Sequence, residues 1–263
     1  MTAAHALAIF AAAFLAGLVN SVAGGGTLLT FPTLVWIGCD PIIANATNAV
    51  ALWPGSLASM IGFRRELRGD LRLLRLLIGP SIAGGALGAV LLLRTPSRTF
   101  EAIVPYLILF ATVLFAAQAP ITRALHRRRG VAKHAPGASP ERGRGWWIAA
   151  VAFQFLVAVY GGYFGAGIGI LMLAALGLLG QTDIHRMNGL KNAFALCING
   201  VAAVYFAASG AVSWNDALVM AVGAIVGGYG GAGIARRLGH AFVRRAIVVI
   251  GVAVALSFFL RRH

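Results

Sequence analysis

Two glycine-rich breaks inside apolar sequence constrain this chain more than any other feature. The first is Asn20-Ser21-Val22-Ala23-Gly24-Gly25-Gly26-Thr27, with nearly pure hydrocarbon before it and after it. Each glycine weakens a helix by about 1 kcal/mol against alanine. In exchange it supplies backbone that can unwind, take up positive φ and approach a ligand closely. The second is Tyr160-Gly161-Gly162-Tyr163-Phe164-Gly165-Ala166-Gly167-Ile168-Gly169, again within an apolar run. A chain with such breaks at matching places in its two halves must bury both where backbone polar groups can be satisfied.

Composition names the solvent. The 263 residues are 59% hydrophobic and 11% charged, whereas soluble domains carry roughly 25% charged residues. The reading is an all-α polytopic membrane protein. In that class, paired glycine-interrupted segments point to a substrate site. The net charge of +15 is spread over short clusters between apolar spans, as expected of topology signals and lipid-headgroup contact, so nucleic acid is excluded as a partner. Cys39 and Cys197 stand in no metal-ligand spacing and read as buried, inert thiols. The first nine residues hold no Lys or Arg, so the opening apolar run reads as a first span, not a cleaved leader.

Counted at about 17–25 residues per spanning helix, the apolar segments cover 4–22, 44–63, 73–93 and 100–119, with a short one at 28–37. After a basic stretch the same order returns at 146–164, a short 168–179, then 188–208, 217–235 and 242–260. The chain therefore divides into a first membrane repeat (1–119), a basic, flexible cytoplasmic linker (120–145) and a second repeat (146–263). Gly38 aligns with Gly180, and Ala46-Thr47-Asn48-Ala49 with Leu190-Lys191-Asn192-Ala193. Equivalent loops carry opposite charge bias. Arg64, Arg65, Arg68, Arg72 and Arg75 follow the third segment, while residues 209–216 hold no Lys or Arg. Conversely, Arg94 and Arg98 have Arg236, Arg237, Arg244 and Arg245 as counterparts. Cytoplasmic loops are the Arg-rich ones, so the expectation is two inverted repeats of five segments each, with both termini outside. Arg261 and Arg262 at the C-terminus run against that assignment.

Each short segment measures roughly 15–20 Å as a helix, about half the hydrocarbon thickness. Unwound backbone at that depth belongs in a cavity lined by protein. Helices starting after Gly26 and Gly167 would aim free N–H groups at an anion there. The expected binding set is Asn20, Ser21, Gly24, Gly25, Gly26, Thr27, Thr47 and Asn48 from the first half. Gly165, Gly167, Gly169, Lys191 and Asn192 complete it from the second. Asn199 is a further donor within a span. All seven acidic residues fall in loops or at span ends, and no histidine sits mid-span, so transport through an obligatory buried carboxylate relay is not expected. HExxH, GxSxG, paired buried carboxylates and Cys/His clusters are all missing from the sequence, so no enzyme, metal or cofactor is expected. The alternatives are a channel-like anion permease or, from another class, a membrane-embedded enzyme or scaffold. The sequence leaves the oligomeric state open.

Residues 23–32 (Ala-Gly-Gly-Gly-Thr-Leu-Leu-Thr-Phe-Pro), Gly38 and Ala44-Asn45-Ala46-Thr47-Asn48 resemble the first-half signature of the TauE/SafE sulfite exporter family. Gly161 to Gly169, followed by Asn188-Gly189-Leu190-Lys191-Asn192, is similar to its second-half signature. The second half has Gly165-Ala166-Gly167 where a triple glycine would mirror the first. The resemblance implies a multi-pass inner-membrane carrier of small sulfur anions such as sulfite or sulfoacetate. It also implies that polar and backbone groups near the glycine motifs hold the anion, with membrane lipids as the surrounding partner.

Overall fold

The computed structural model describes residues 2–22, 25–62, 71–133, 144–179, 181, 183–238 and 240–260. These residues form ten α-helices and no strand. In the first half the helices are α1 (Ala3–Val22), α2 (Thr27–Trp36), α3 (Pro41–Gly62), α4 (Leu71–Arg94) and α5 (Ser97–Lys133). In the second they are α6 (Arg144–Tyr163), α7 (Ile168–Leu178), α8 (Ile184–Ala208), α9 (Trp214–Leu238) and α10 (His240–Leu260). The expected order of long and short elements is thus present in both halves. Among the described residues, five stretches are long and apolar enough to cross a membrane: Ala3–Asn20, Leu73–Arg94, Ser97–Gln118, Gly145–Tyr163 and Arg186–Ala208. Gly24, Gly180, Arg64, Arg65, Arg68, Arg261 and Arg262 lie outside the described residues.

One boundary differs from the sequence reading. Helix α5 is 37 residues long, about 55 Å at 1.5 Å per residue, and carries the chain well into the basic stretch. Residues 120–133 of the expected linker are therefore helical. Ala, Leu, Arg and Lys in that stretch are strong helix formers, and an established helix extends through them more readily than a new one nucleates.

The halves are interleaved. The two most extensive pairings are α1 with α9 and α4 with α6, each joining the first helix of one half to the fourth of the other. Small residues make both possible. A Cβ on Gly17 would lie 2.1 Å from the Ala224 carbonyl oxygen, and one on Gly227 would lie 1.9 Å from that of Phe14. Across the other pair, a Cβ on Gly88 would lie 2.1 Å from the Val159 oxygen, and one on Gly162 the same distance from that of Gly85. Backbones approach this closely in apolar surroundings because packing replaces the hydrophobic drive between helices. Polar links mark the same seams. Gln154 Nε2 donates to Ser81 Oγ (2.9 Å), and His5 pairs with Asp216 (3.2 Å). Asp216 also accepts from the Ser213 hydroxyl (2.7 Å).

Direction can be read from the contacts. Along α1 and α9, residues 5 and 14 meet 216 and 227, so the two helices run the same way. Along α4 and α6, residues 81, 84 and 88 meet 154, 155 and 159, again in the same sense. The third helices of the two halves run oppositely. Thr47, early in α3, accepts from Ser213 N–H beyond the end of α8, while Trp53 reaches back to the Leu196 carbonyl. The fifth helices also oppose each other: Tyr106 stacks edge-on to Phe259, and Thr112 faces Gly251.

Candidate functional site

The described part of each glycine break is a corner of non-helical backbone, Gly25-Gly26 before α2 and residues 164–167 between α6 and α7. At the first corner Gly25 has φ +97°, and at the second Gly165 and Gly167 both have φ +78°. That region costs an L-residue with a Cβ roughly 1–2 kcal/mol, so glycine is required for the turn. An aromatic contact bridges the corners. Phe31 of α2 packs edge-on to Phe164, the residue before Gly165, with ring centroids 5.4 Å apart.

Between the corners lies a cavity of about 60 Å³. Its polar lining is Thr27, Asn45, Asn48, Asn199, Gly161, Gly162 and Gly165, and its apolar walls are Ala49, Leu52, Trp53, Phe164, Ala202 and Phe206. Among the described residues, no charged side chain lines it. One water needs about 10–15 Å³ of such space, so the cavity has room for about four or five waters. Asn48, 3% exposed, is set by α2: Thr30 donates to its Oδ1, and its Nδ2 reaches Thr27 Oγ1 at 3.4 Å. Asn45, one turn earlier on the same face, donates from Nδ2 to the Tyr163 carbonyl (2.9 Å) and ties α3 to the end of α6. Asn199 approaches Gly165 from α8, its Oδ1 lying 3.9 Å from where a Gly165 Cβ would be. Trp53 donates from Nε1 to the Leu196 carbonyl (3.3 Å), its indole lying against Gly200.

The main-chain groups at the corners decide which sign of ligand they favour. At the first, the Gly25 carbonyl accepts from Leu28 N–H, and the Gly26 carbonyl from Leu29 and Thr30 N–H. At the second, the Gly165 carbonyl accepts from Ile168 N–H and that of Gly167 from Ile170 N–H. The Ala166 carbonyl accepts a 2.6 Å bond from the Tyr160 hydroxyl. Carbonyls at both corners are thus taken. Among the described residues, no acceptor stands opposite the N–H groups of Thr27, Ala166, Gly167 and Gly169. Helix starts with open N–H groups attract anions.

The expected site residues separate into those at the cavity and those beside it. Thr27, Asn48 and Gly165 line it. Asn20 acts on the corner, its Oδ1 accepting Gly26 N–H at 2.8 Å. Thr47 is fully buried and spent on Ser213 N–H (3.0 Å). Gly25 lies under the Phe115 ring and Gly167 beside Leu114. Lys191 lays its aliphatic stem over Gly169, where a Cβ would be 3.3 Å from its Cδ; neither it nor Asn192 lines the cavity. Ser21 belongs to α1, and its side chain is outside the described residues, as is Gly24. Asn45, Trp53 and Asn199 line the cavity outside the expected set. Asn45 was within reach of sequence reasoning, since positions i and i+3 of a helix share a face. Nothing in the sequence distinguishes Trp53.

The chain matches the family model described as sulfite exporter TauE/SafE over residues 9–258. It is similar to a "probable membrane transporter protein ORF9" of Sinorhizobium sp, 27% identical over 260 residues, covering 96% of this chain and 92% of that one. A probable membrane transporter protein of Haemophilus influenzae is 26% identical over 92% of this chain and 89% of its own length. The probable membrane transporter protein YfcA of Escherichia coli is 26% identical, over 97% and 90%. No solved structure matches the chain. With the expected order of helices among the described residues and a family match along nearly its whole length, this chain belongs to the sulfite exporter TauE/SafE family and is a multi-pass membrane transporter.

Proposed function

We propose that the protein is a secondary carrier that exports a small sulfur oxyanion across the inner membrane, with the anion held in the cavity between the corners. The observation that carries this reading is the cavity's lining: amide and hydroxyl side chains of Thr27, Asn45, Asn48 and Asn199, beside corner carbonyls that are already engaged. The cavity volume favours sulfite, a sulfur with three oxygens, over the larger sulfoacetate. Neutral donors suit a cargo that must also leave, because a fixed cation at the site would hold the anion too tightly. Export from a negative interior is favoured by about 2.3 kcal/mol per charge per 100 mV.

The halves, 1–119 and 146–263 around the linker, act as inverted repeats in this reading. Two observations support it. The more extensive helix pairings are preserved when the halves are exchanged, and the third and fifth helices each oppose their own counterpart. Counterparts run oppositely when the two-fold axis lies across them, in the plane of the membrane. Alternating access is then a rocking of one repeat's bundle against the other, with Lys191 at the edge of the second corner and the linker in the cytoplasm.

The test is thermal stabilisation of purified protein by sulfite, sulfoacetate, sulfate and chloride, for wild type, Asn48→Ala and Lys191→Ala. Selective stabilisation by sulfite, lost in Asn48→Ala, is the expected result. Stabilisation by none of the sulfur anions would remove the substrate class while leaving the fold untouched. Saturable flux with counterflow in proteoliposomes distinguishes the carrier from a pore.

A further inference from the structure

We propose that Asn45 and Trp53 are the two gates of the carrier, each closing one end of the cavity with a hydrogen bond to a main-chain carbonyl of the facing bundle. The inference rests on the reading of the cavity as the substrate site. Close backbone approach at Gly17 and Gly227 fixes α1 to α9, and at Gly88 and Gly162 it fixes α4 to α6. Helix α3 packs on α9 and α8 on α4, while α2 fills in beside α1 and α3, and α7 beside α6 and α8. Each repeat's first three helices thus form a bundle with the fourth helix of the other half. The cavity lies on the seam between these bundles. Thr27, Asn48 and Ala49 line it from one side, and Gly161, Asn199 and Ala202 from the other.

Two side-chain hydrogen bonds cross that seam, and both start on α3. Asn45 Nδ2 donates to the Tyr163 carbonyl at the end of α6 (2.9 Å), and Trp53 Nε1 to the Leu196 carbonyl in α8 (3.3 Å). The Gln154–Ser81, His5–Asp216 and Thr47–Ser213 pairs each stay within one bundle. The two donors stand about 12 Å apart along the helix, and both line the cavity with Asn48 between them. Tilting α3 against α8 about that middle point separates one pair while pressing the other together, and bonds of this modest net strength break and remake readily. The ends differ in this conformation. Asn45, Phe164 and Phe206 are buried at the first, whereas Leu52 and Trp53 are half-buried at the second. The Trp53 bond is also longer than the usual 2.7–3.2 Å, and Gly200 makes room for it: a Cβ there would lie 3.0 Å from Nε1. The Asn45 gate is the firmer closure.

A reporter thiol between the gates tests this. Ala49→Cys places it on the cavity wall midway between Asn45 and Trp53, in full-length protein whose two native cysteines, Cys39 and Cys197, are replaced by serine. A charged, membrane-impermeant methanethiosulfonate is applied to one side at a time of oriented membrane vesicles, and the labelling rate is measured. Adding Asn45→Ala should raise the rate about tenfold or more from one side. Trp53→Phe, which keeps a ring but loses the donor, should raise it as much from the opposite side, and Gly200→Ala should act like Trp53→Phe by displacing the indole. Asn45→Ser, too short to reach Tyr163, serves where Asn45→Ala does not fold. Acceleration from the same side in all variants, from both sides equally, or in none overturns the proposal. Labelling needs no substrate, so the two readings separate. Sulfite should slow the labelling at wild-type gates. If it does not, while the opposed sides persist, the substrate reading falls and the gates stand.

Discussion

The two corners arise from the same motif and end up built differently. At the α1–α2 corner Gly25 is pressed under the Phe115 ring, Asn20 closes an N–H, and Thr27 and Asn48 face the cavity through their side chains. At the α6–α7 corner two glycines take positive φ, Tyr160 closes a carbonyl, and no side chain of the corner beyond Phe164 enters the cavity. One corner contributes side-chain chemistry and the other contributes backbone. The lesson is that two glycine-rich breaks alike in sequence are closed differently, because one or two flanking residues decide which backbone groups each leaves engaged.

The largest test of that difference is Gly25→Ala against Gly167→Ala. Both place a Cβ at positive φ, at about 1–2 kcal/mol. At Gly25 the new atom also lies 2.4 Å from the Phe115 ring, adding about 1–3 kcal/mol of overpacking. At Gly167 the nearest atom is Leu114 Cδ1 at 3.2 Å. Unfolding in mild denaturant should show Gly25→Ala as the weaker protein, with Phe115→Leu restoring most of the gap. Equal losses would mean that the first corner is not the tighter one.

Next in size is Asn48→Ala. It removes one of the two acceptors of the buried Thr30 hydroxyl, which keeps the Gly26 carbonyl at 3.1 Å, so stability should fall by about 0.5–1.5 kcal/mol, and anion affinity should fall at least tenfold, about 1.4 kcal/mol. Its aligned counterpart Asn192 is off the cavity, so Asn192→Ala should stay within about 0.5 kcal/mol. Similar losses in the two variants would restore equal roles to the repeats.

A smaller and more selective effect belongs to Asn199→Ala. Among the described residues, no hydrogen bond depends on this side chain, so melting should be unmoved while sulfite affinity drops severalfold. Smaller still is Lys191→Met, which keeps the stem over Gly169. A modest fall in affinity with an unchanged ranking of anions would mark Lys191 as a distant electrostatic aid. A reordered ranking would place its ammonium at the ligand.

Much of this was legible before any coordinates. Gly26 and Gly167 stood directly before apolar segments too short to cross alone, and each directly precedes a helix of 10 or 11 residues. Thr27, Asn48 and Gly165 were polar or permissive residues in apolar surroundings, and they line the cavity. Lys191 and Asn192 were placed with them by alignment alone. Alignment carries position along the chain, but a small rotation of α8 relative to α3 changes which face meets the cavity. Tyr160 escaped because it reads as one more aromatic residue near a helix end. Its hydroxyl meets the Ala166 carbonyl, six residues away, which only the corner turns toward it.

The sequence alone determined the solvent, the order of the helices among the described residues, and the two places where helices must break. Those follow from local physics: apolar length against bilayer thickness, and glycine's freedom at positive φ. The tertiary structure alone decided which helices of opposite halves interlock, which of the paired asparagines faces the cavity, and whether each corner offers donors or acceptors. These depend on close approach between residues far apart in sequence, such as Gly17 to Ala224 and Asn45 to Tyr163, and no local pattern encodes the partner across such a contact.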